Sequence, residues 1–271
     1  MASDPPPAAV SDSPAGSSSV VDKVRLRFRK GDDLRLLSHH DLMRAFQRML
    51  RRAALPVRQS KGFNPHPRLI FALSLPLGVV GCEEVVEIEL DEVLPLDELR
   101  DRLVSQAPPG LDILSTQRIG PRMGAQVQRL TYRLAIPPDR IAGLAERIAA
   151  TLNAPHCWVE RTRPPARRLD VRPFLADLRL SEMPIKPQRE VATYALEMEL
   201  FLTQHGTARP EEVLSLLGLE GLVEAGAILE RSRLELIDES TPANQSELRL
   251  AAMQECLGQE ATEHSTAEGI A

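Results

Sequence analysis

Residues 38–77 read SHHDLMRAFQRMLRRAALPVRQSKGFNPHPRLIFALSLPL and join an amphipathic helix to a proline-containing loop and an apolar strand. Ser38, with Asp41 three residues later, predicts the helix start, because both side chains can accept hydrogen bonds from free backbone amides. Apolar residues at three- and four-residue spacing define one face: Leu42, Phe46, Met49, Leu50 and Ala53. Arginines fall mostly on the other: Arg44, Arg48, Arg51 and Arg52. Such a pattern is typical of a solvated face or of a phosphate-binding face.

The loop that follows, residues 59–67, combines polar groups with restricted backbone. Pro65 and Pro67 push the residues before them, Asn64 and His66, toward extended geometry. The pattern is typical of turn chemistry as well as of a preorganised binding loop. His39 lies in the first helical turn, where free amides and the macrodipole favour an anion. We therefore expect His39, Asn64 and His66 to converge on one concave spot, the alternative being that each has its own local bonding task.

Two chemical hypotheses use this convergence. In the first, His39 and His66 form a metal-independent acid–base pair, oriented by Asp41, that acts on RNA phosphodiesters. In the second, histidines and Asp41 hold a metal, which is disfavoured because adjacent helical residues point in different directions. No metal site and no cofactor are expected. The cysteines stand far apart, which argues against a zinc ribbon or an iron–sulfur cluster: Cys82, Cys157 and Cys256.

Charge is strongly segregated along the chain. Residues 23–72 hold 13 Lys or Arg against 3 Asp or Glu, whereas residues 190–271 hold 4 against 16. A basic surface of this size commonly serves phosphate backbones or an acidic protein face. The overall pI near 5.8 makes any nucleic-acid site local. The predicted binding residues are Arg44, Arg48, Arg51, Lys61, Asn64 and His66.

The periodicity predicts an α+β protein. In the first half, residues 23–30 alternate apolar and basic side chains as a strand. A short strand at 34–37, the helix, strands near 56–59, 69–75 and 83–90, a helix at 96–106 and a strand at 111–119 follow. In the second half we expect strands at 127–136, 157–163, 191–203 and 227–237 and helices at 138–153 and 210–217. This repeated order predicts two tandem ferredoxin-like α/β sandwich units, residues 23–120 and 121–238.

Residues 161–172, RTRPPARRLDVR, form a second basic, proline-containing loop in the second half. Its arginines either extend a basic surface or decorate a hairpin tip: Arg161, Arg163, Arg167, Arg168 and Arg172. We expect Asp170 and Arg172 to form an internal, structural ion pair.

The two ends of the chain lack the patterns of packed elements. Residues 1–22 are rich in Pro, Ala and Ser and are expected to be a disordered tail rather than a signal peptide. Residues 239–271 are acidic and polar and are expected to be mostly disordered. No apolar run is long enough to cross a membrane. With its separated cysteines, the chain is expected to be cytoplasmic.

Four motifs carry a family resemblance: SHHDLMRAFQRMLRRA at 38–53, GFNPHPRLIFALSLPLG at 62–78, LDVRPFLADLRL at 169–180 and GTARPEEVL at 206–214. They resemble the radical-SAM-linked domain of unknown function, which occurs alone or fused behind a cobalamin-binding radical SAM domain. The resemblance covers about residues 23 to 240. It implies a radical SAM protein as partner in trans, because this chain has no cluster-binding cysteine motif of its own.

The function we expect is a non-catalytic module that binds structured RNA, such as tRNA or rRNA, and presents it to a radical SAM enzyme for modification or processing. The first alternative is a protein–protein adaptor that docks a radical SAM partner without nucleic acid. The second is the RNA endonuclease that uses His39 and His66.

Overall fold

A computed structural model describes residues 22–161, 166–183 and 193–239. Within these ranges the chain forms a mainly antiparallel eight-stranded sheet and four α-helices, together with a separate two-stranded hairpin. The predicted α+β class is confirmed. The two predicted tails lie outside the described residues except at their inner ends: Asp22 begins the first strand, and Glu239 ends a short 3-10 helix.

The first half contains β1 (Asp22–Lys30), α1 (His39–Arg52), β2 (Leu69–Phe71), β3 (Val80–Leu90), α2 (Leu96–Gln106) and β4 (Leu111–Ile119). The strand predicted at 34–37 is wrong, because Asp32 has a positive φ of 48° and turns the chain into a 3-10 helix, Asp32–Leu36. The strand predicted at 56–59 is reduced to two bridges, Val57 to Leu90 and Gln59 to Pro67. Residues 72–75, predicted to extend β2, lie outside it.

The second half contains β5 (Val127–Ile136), α3 (Leu144–Asn153), β6 (Trp158–Arg161), β7 (Arg167–Asp170), β8 (Leu175–Met183), β9 (Thr193–Phe201), α4 (Pro210–Leu216) and β10 (Leu229–Leu236). The single helix predicted at 138–153 is interrupted, because Gly143 adopts a left-handed conformation with φ of 68°. Strands β7 and β8 were not predicted from the sequence. Arg163 and the end of the strand predicted at 157–163 lie outside the described residues.

The sheet has the strand order β4-β1-β3-β10-β5-β9-β8, with β2 also on β3. In the first half the order is β4-β1-β3-β2, and in the second half it is β10-β5-β9-β8; every pair within each half is antiparallel. When the sheet strands of each half are numbered along the chain, both halves therefore have the spatial order fourth, first, third, second. The halves join where β10 pairs in parallel with the start of β3.

Helix α1 forms as the sequence predicts. Ser38 caps it, its Oγ accepting a hydrogen bond of 3.2 Å from the amide of Asp41. Its apolar face packs on the inner side of β1, so that Phe46 meets Phe28 with ring centroids 4.9 Å apart. The basic face of α1 is thereby turned to solvent.

A buried polar cluster lies where the two halves meet. Arg231 of β10 and Glu84 of β3 are 1% and 2% exposed, and the Arg231 Nε lies 2.7 Å from Glu84 Oε1. Nearby, the buried Lys30 donates a 2.8 Å bond to the Leu37 carbonyl, and burial lowers the pKa of this amine despite the attraction of Glu84. Arg231 lies opposite Tyr132 in the second core, whereas Glu84 lies opposite Phe28 in the first. The two helix-covered cores therefore meet on one side of the sheet.

Removing one member of this pair should be costly. Glu84→Gln leaves Arg231 buried without its anion, which we expect to lower the free energy of unfolding by about 3–5 kcal/mol in urea titrations. Glu98→Gln is the matched control, because Glu98 pairs with Arg102 at an exposed helix surface and should cost under about 0.5 kcal/mol. The double change Glu84→Gln with Arg231→Met should recover part of the loss. Equal effects at Glu84 and Glu98 would contradict the assignment.

Candidate functional site

The outer face of α1 is a row of exposed arginines. Arg48 and Arg51 make no side-chain hydrogen bond or ion pair with any described residue. Arg44 lies 3.4 Å from Asp41, and Arg52 donates a 2.7 Å bond to the Gln106 carbonyl. We call Arg44, Arg48, Arg51 and Arg52 the α1 basic face. The described residues leave most of its charge unneutralised.

The loop after α1 is the tip of a small hairpin, residues 57–68, which we call the first hairpin. Its two arms are tied by a 2.8 Å bond from the Arg68 amide to the Arg58 carbonyl and another from the Ser60 amide to the His66 carbonyl. Residues 61–66 are six consecutive exposed residues, and Gly62 turns the chain with φ of 140°. Phe63 is fully exposed. The tip therefore exposes Lys61, Phe63, Asn64 and His66 to solvent, while the two backbone hydrogen bonds hold the arms below it together.

Asp41 is occupied within the helix cap. Its carboxylate accepts a 2.7 Å hydrogen bond from the Ser38 hydroxyl, and Arg44 lies on its other oxygen. The hydrogen bond from Ser38, helped by the charges of Arg44 and His40, lowers the pKa of Asp41 below its usual value. Asp41 is thus a capping anion and does not orient an imidazole.

No hydrogen bond or ring contact joins His39 and His66 in the described residues. The ring of His39 packs edge-on against Phe71 with centroids 5.2 Å apart. Phe71 ends β2, five residues beyond His66 along a mostly extended segment, and this corresponds to about 16 Å of chain. Burial lowers the pKa of His39, and His40 and Lys30 add to the effect. His39 therefore has a local packing role, whereas Asn64 and His66 belong to the first hairpin tip with Lys61.

Strand β1 contributes little to the surface charge. Lys23, Arg25, Arg27 and Arg29 alternate with the apolar residues of β1, as predicted, but the face on which they lie is largely covered. Arg25 is 2% exposed and bonds Glu87, Asp238 and Glu239. Lys23 is buried and lies 2.8 Å from Glu87. The basic block of residues 23–72 is accordingly divided, with β1 in internal ion pairs and the α1 basic face and Lys61 in solvent.

Strands β6 (residues 158–161) and β7 (residues 167–170) pair with each other, and we call this pair the second hairpin. Its aromatic and basic cluster was missed by the sequence analysis: the Trp158 ring contacts both His156 and Arg168. The signal was available, since Trp158 is the only tryptophan of a chain with 3% aromatic residues. The predicted ion pair of Asp170 and Arg172 takes another form: the Arg172 amide donates to Asp170, and the guanidinium donates to the Leu152 and Leu175 carbonyls.

The described residues lack two further features. No group of three His, Cys, Asp or Glu side chains there is arranged to hold a metal ion. None of the helices in those ranges is both long and apolar enough to cross a membrane.

Comparison with known proteins gives one family match. A family described as an uncharacterized protein conserved in bacteria, DUF2344, matches residues 23–210. No curated protein matches the chain. Among solved structures, an unknown protein from Galdieria sulphuraria is 14% identical with a TM-score of 0.24, covering 80% of this chain and 99% of its own. A protein described as a glycine cleavage system transcriptional repressor is 11% identical with a TM-score of 0.21, covering 81% and 99%.

The local role of His39 predicts a pH dependence of stability. Because the folded pKa of His39 is lowered below its usual 6.5, the unfolded chain binds more protons as the pH falls toward and below 6.5. Stability should therefore fall between pH 7.5 and 5.5 in urea titrations, and the fall should be smaller in His39→Gln. His66→Gln is the control and should keep the slope of the unmodified protein. Identical slopes for His39→Gln and the unmodified protein would contradict the packing role.

Proposed function

Since the chain belongs to the bacterial family DUF2344, whose description assigns no activity, we propose a function from its surface chemistry: it is a non-catalytic RNA-binding module. The α1 basic face, with Lys61 of the first hairpin, contacts the phosphates of a structured RNA such as tRNA or rRNA. The bound RNA is presented to a radical SAM protein in the cytoplasm. The chain itself supplies recognition.

The observation that carries the proposal is the unneutralised charge of the α1 basic face. The buried arginines Arg25 and Arg231 have carboxylate partners. Arg48 and Arg51 have neither among the described residues, and they lie one helical turn apart on an exposed face. Guanidinium groups in such a row match the spaced phosphates of a polynucleotide and bind them with release of counterions.

The first hairpin adds groups suited to RNA rather than to a simple anion. Phe63 offers an exposed ring at the tip, where an unpaired base could stack, and Asn64 and His66 offer hydrogen-bonding groups beside it. Pro65 and Pro67 restrict the backbone of the tip, so less conformational entropy is lost when a ligand orders it. A phosphate site alone would not need the exposed aromatic ring.

The two halves of the chain also have a common architecture. We infer that residues 23–120 and 121–238 are two ferredoxin-like units in tandem, because both halves have the same strand order and the same directions. In such a unit the first and second strands are parallel, joined through a helix and separated by the third strand. The radical SAM partner is supported by the resemblance of the four motifs to the radical-SAM-linked domain.

A protein–protein adaptor is the second candidate, and one surface favours it. Leu36 and Leu77 are exposed, and a 2.9 Å bond from the Gly78 amide to the Arg35 carbonyl brings their segments together. An apolar pair of this kind suits docking to a protein partner. The endonuclease hypothesis has no comparable support, because no hydrogen bond or ring contact joins His39 and His66 in the described residues.

The RNA proposal is tested by charge reversal on the α1 basic face. Arg44→Glu with Arg48→Glu should weaken binding of a blunt RNA stem-loop by about a hundredfold at low salt in fluorescence anisotropy, and should reduce the slope of log K against log salt by about two. Thermal stability should change little, because both side chains are exposed.

Arg179→Glu with Arg233→Glu provides the matched control. These arginines are also largely exposed but lie on the helix-free face of the sheet. They should leave RNA affinity within a few fold of the unmodified protein. Unchanged binding by the Arg44 and Arg48 variant, or an equal loss in both variants, would overturn the proposal. Capture of a radical SAM protein that depends on Leu36 and Leu77 and is insensitive to salt would favour the adaptor.

A further inference from the structure

The second hairpin occupies the same place in its half as the first hairpin does in the other. Each follows the first α-helix of its half. Each also precedes the second strand, counted along the chain, that its half contributes to the large sheet, β2 or β8. Among the described residues, the exposed aromatic side chains are Phe63 and Trp158. One lies on each hairpin. In a chain with so few aromatic residues, this placement indicates a shared use.

The outer face of the second hairpin carries a preformed stack. The His156 and Trp158 rings are nearly parallel, with centroids 5.7 Å apart and planes inclined by 30°. The Arg168 guanidinium carbon lies 4.6 Å from the centroid of the Trp158 ring. All three side chains are exposed, Trp158 by 43%. The hairpin thus displays an imidazole, an indole and a guanidinium side by side.

The inner face holds this stack rigidly. Val159 and Leu169 pack on the second core. Arg161 forms a two-point contact with Glu212, with its Nε 2.7 Å from Oε1, and so fastens the hairpin to α4. On the outer face Asp170 fixes the base of the stack, because it accepts bonds of 2.7 Å from His156 Nδ1 and from the Cys157 amide. The orientation of the His156 ring is therefore set by Asp170 before any ligand arrives.

The chemistry of this face selects among ligands. A cationic ligand would be repelled, because Arg168 already occupies the position that a cation takes over an indole ring. A flat aromatic ligand extends the stack, and an adjacent phosphate can pair with Arg167 or Arg168, which are both exposed. Glu160 lies opposite Arg168 in the hairpin and offers a carboxylate to the N–H groups of a base.

We propose that the His156–Trp158–Arg168 face of the second hairpin is a stacking site for an unpaired base of a single-stranded polynucleotide segment. The proposal takes its ligand class from the proposed function but uses a different surface and a different part of the ligand. The α1 basic face contacts the phosphates of a folded RNA, whereas the second hairpin binds a base that lies outside the paired region.

The protein carries its own reporter for this site. Trp158 is the only tryptophan, so quenching of intrinsic tryptophan fluorescence reports contact at the second hairpin alone. Titration with a single-stranded oligocytidylate should quench this emission in a saturable way. A blunt-ended RNA duplex, which has no loop and offers no unpaired base, should bind without comparable quenching.

Variants then assign the contact to side chains. In anisotropy with labelled oligocytidylate, Trp158→Leu and Arg168→Gln should each weaken binding by about tenfold, the effect of losing one stacked base or its cation. Arg100→Gln, at an exposed position of α2, is the matched control and should have no effect. Circular dichroism of Trp158→Leu checks that the hairpin remains folded, while the quenching experiment needs no variant.

The outcomes separate this proposal from the RNA proposal. Stem-loop binding that depends on Arg44 and Arg48, without oligocytidylate quenching, would overturn the stacking site and leave the proposed function standing. Quenching that survives in the Arg44→Glu and Arg48→Glu variant, with stem-loop binding unaffected by that variant, would do the reverse. Quenching by an acidic peptide but not by oligocytidylate would overturn the stacking site in favour of a protein ligand.

Discussion

The contact of Arg231 with Glu84 is the constraint on which the arrangement of the two halves depends. Strand β10 reaches β3 through only two residue pairs, at Val80 and Gly81, because β2 occupies the same side of β3 farther along, at residues 86–88. Backbone pairing of that length is weak. A buried ion pair with two nitrogen–oxygen contacts adds a directional requirement, since a guanidinium left without its carboxylate in a dry core is strongly unfavourable. The pair therefore fixes how far the halves can slide along each other.

That junction determines which charges reach solvent. The two helical layers share one side of the sheet, where Lys30, Glu84 and Arg231 are buried. Other charged side chains of the strands lie on the opposite side. There they pair with one another, as Arg25 does with Glu87 and Arg179 does with Glu199. The basic residues of the segment 23–72 are consequently divided between cross-strand ion pairs and the solvent-exposed surface. The α1 basic face and the hairpins carry exposed charge that a ligand could use.

The sequence predicted elements well where their ends are marked chemically. Helix α2 begins after Pro95 and ends before Pro108, and its predicted bounds agree with the structure. Strand β8 was missed because a bulge between Leu175 and Asp177 breaks the alternation on which strand prediction relies. The contact of His39 with Phe71 could not be read from spacing, since it depends on how β2 lies along β3. Trp158 was overlooked because its ring partners, His156 before β6 and Arg168 in β7, come together only in the tertiary structure.

The two hairpins differ in how they would meet a ligand, and the difference follows from their contacts. Two backbone hydrogen bonds hold the arms of the first hairpin together. The exposed side chains of Lys61, Phe63, Asn64 and His66 have no hydrogen-bond partner among the described residues, so they can adapt to a ligand. The second hairpin is already stacked, and its rings are held by Asp170 and by the packing of Val159 and Leu169. Charge acts over a screening length of about 8 Å at physiological salt, whereas stacking acts only at contact. Under the proposed function, the α1 basic face therefore orients an approaching polynucleotide before the second hairpin engages a base.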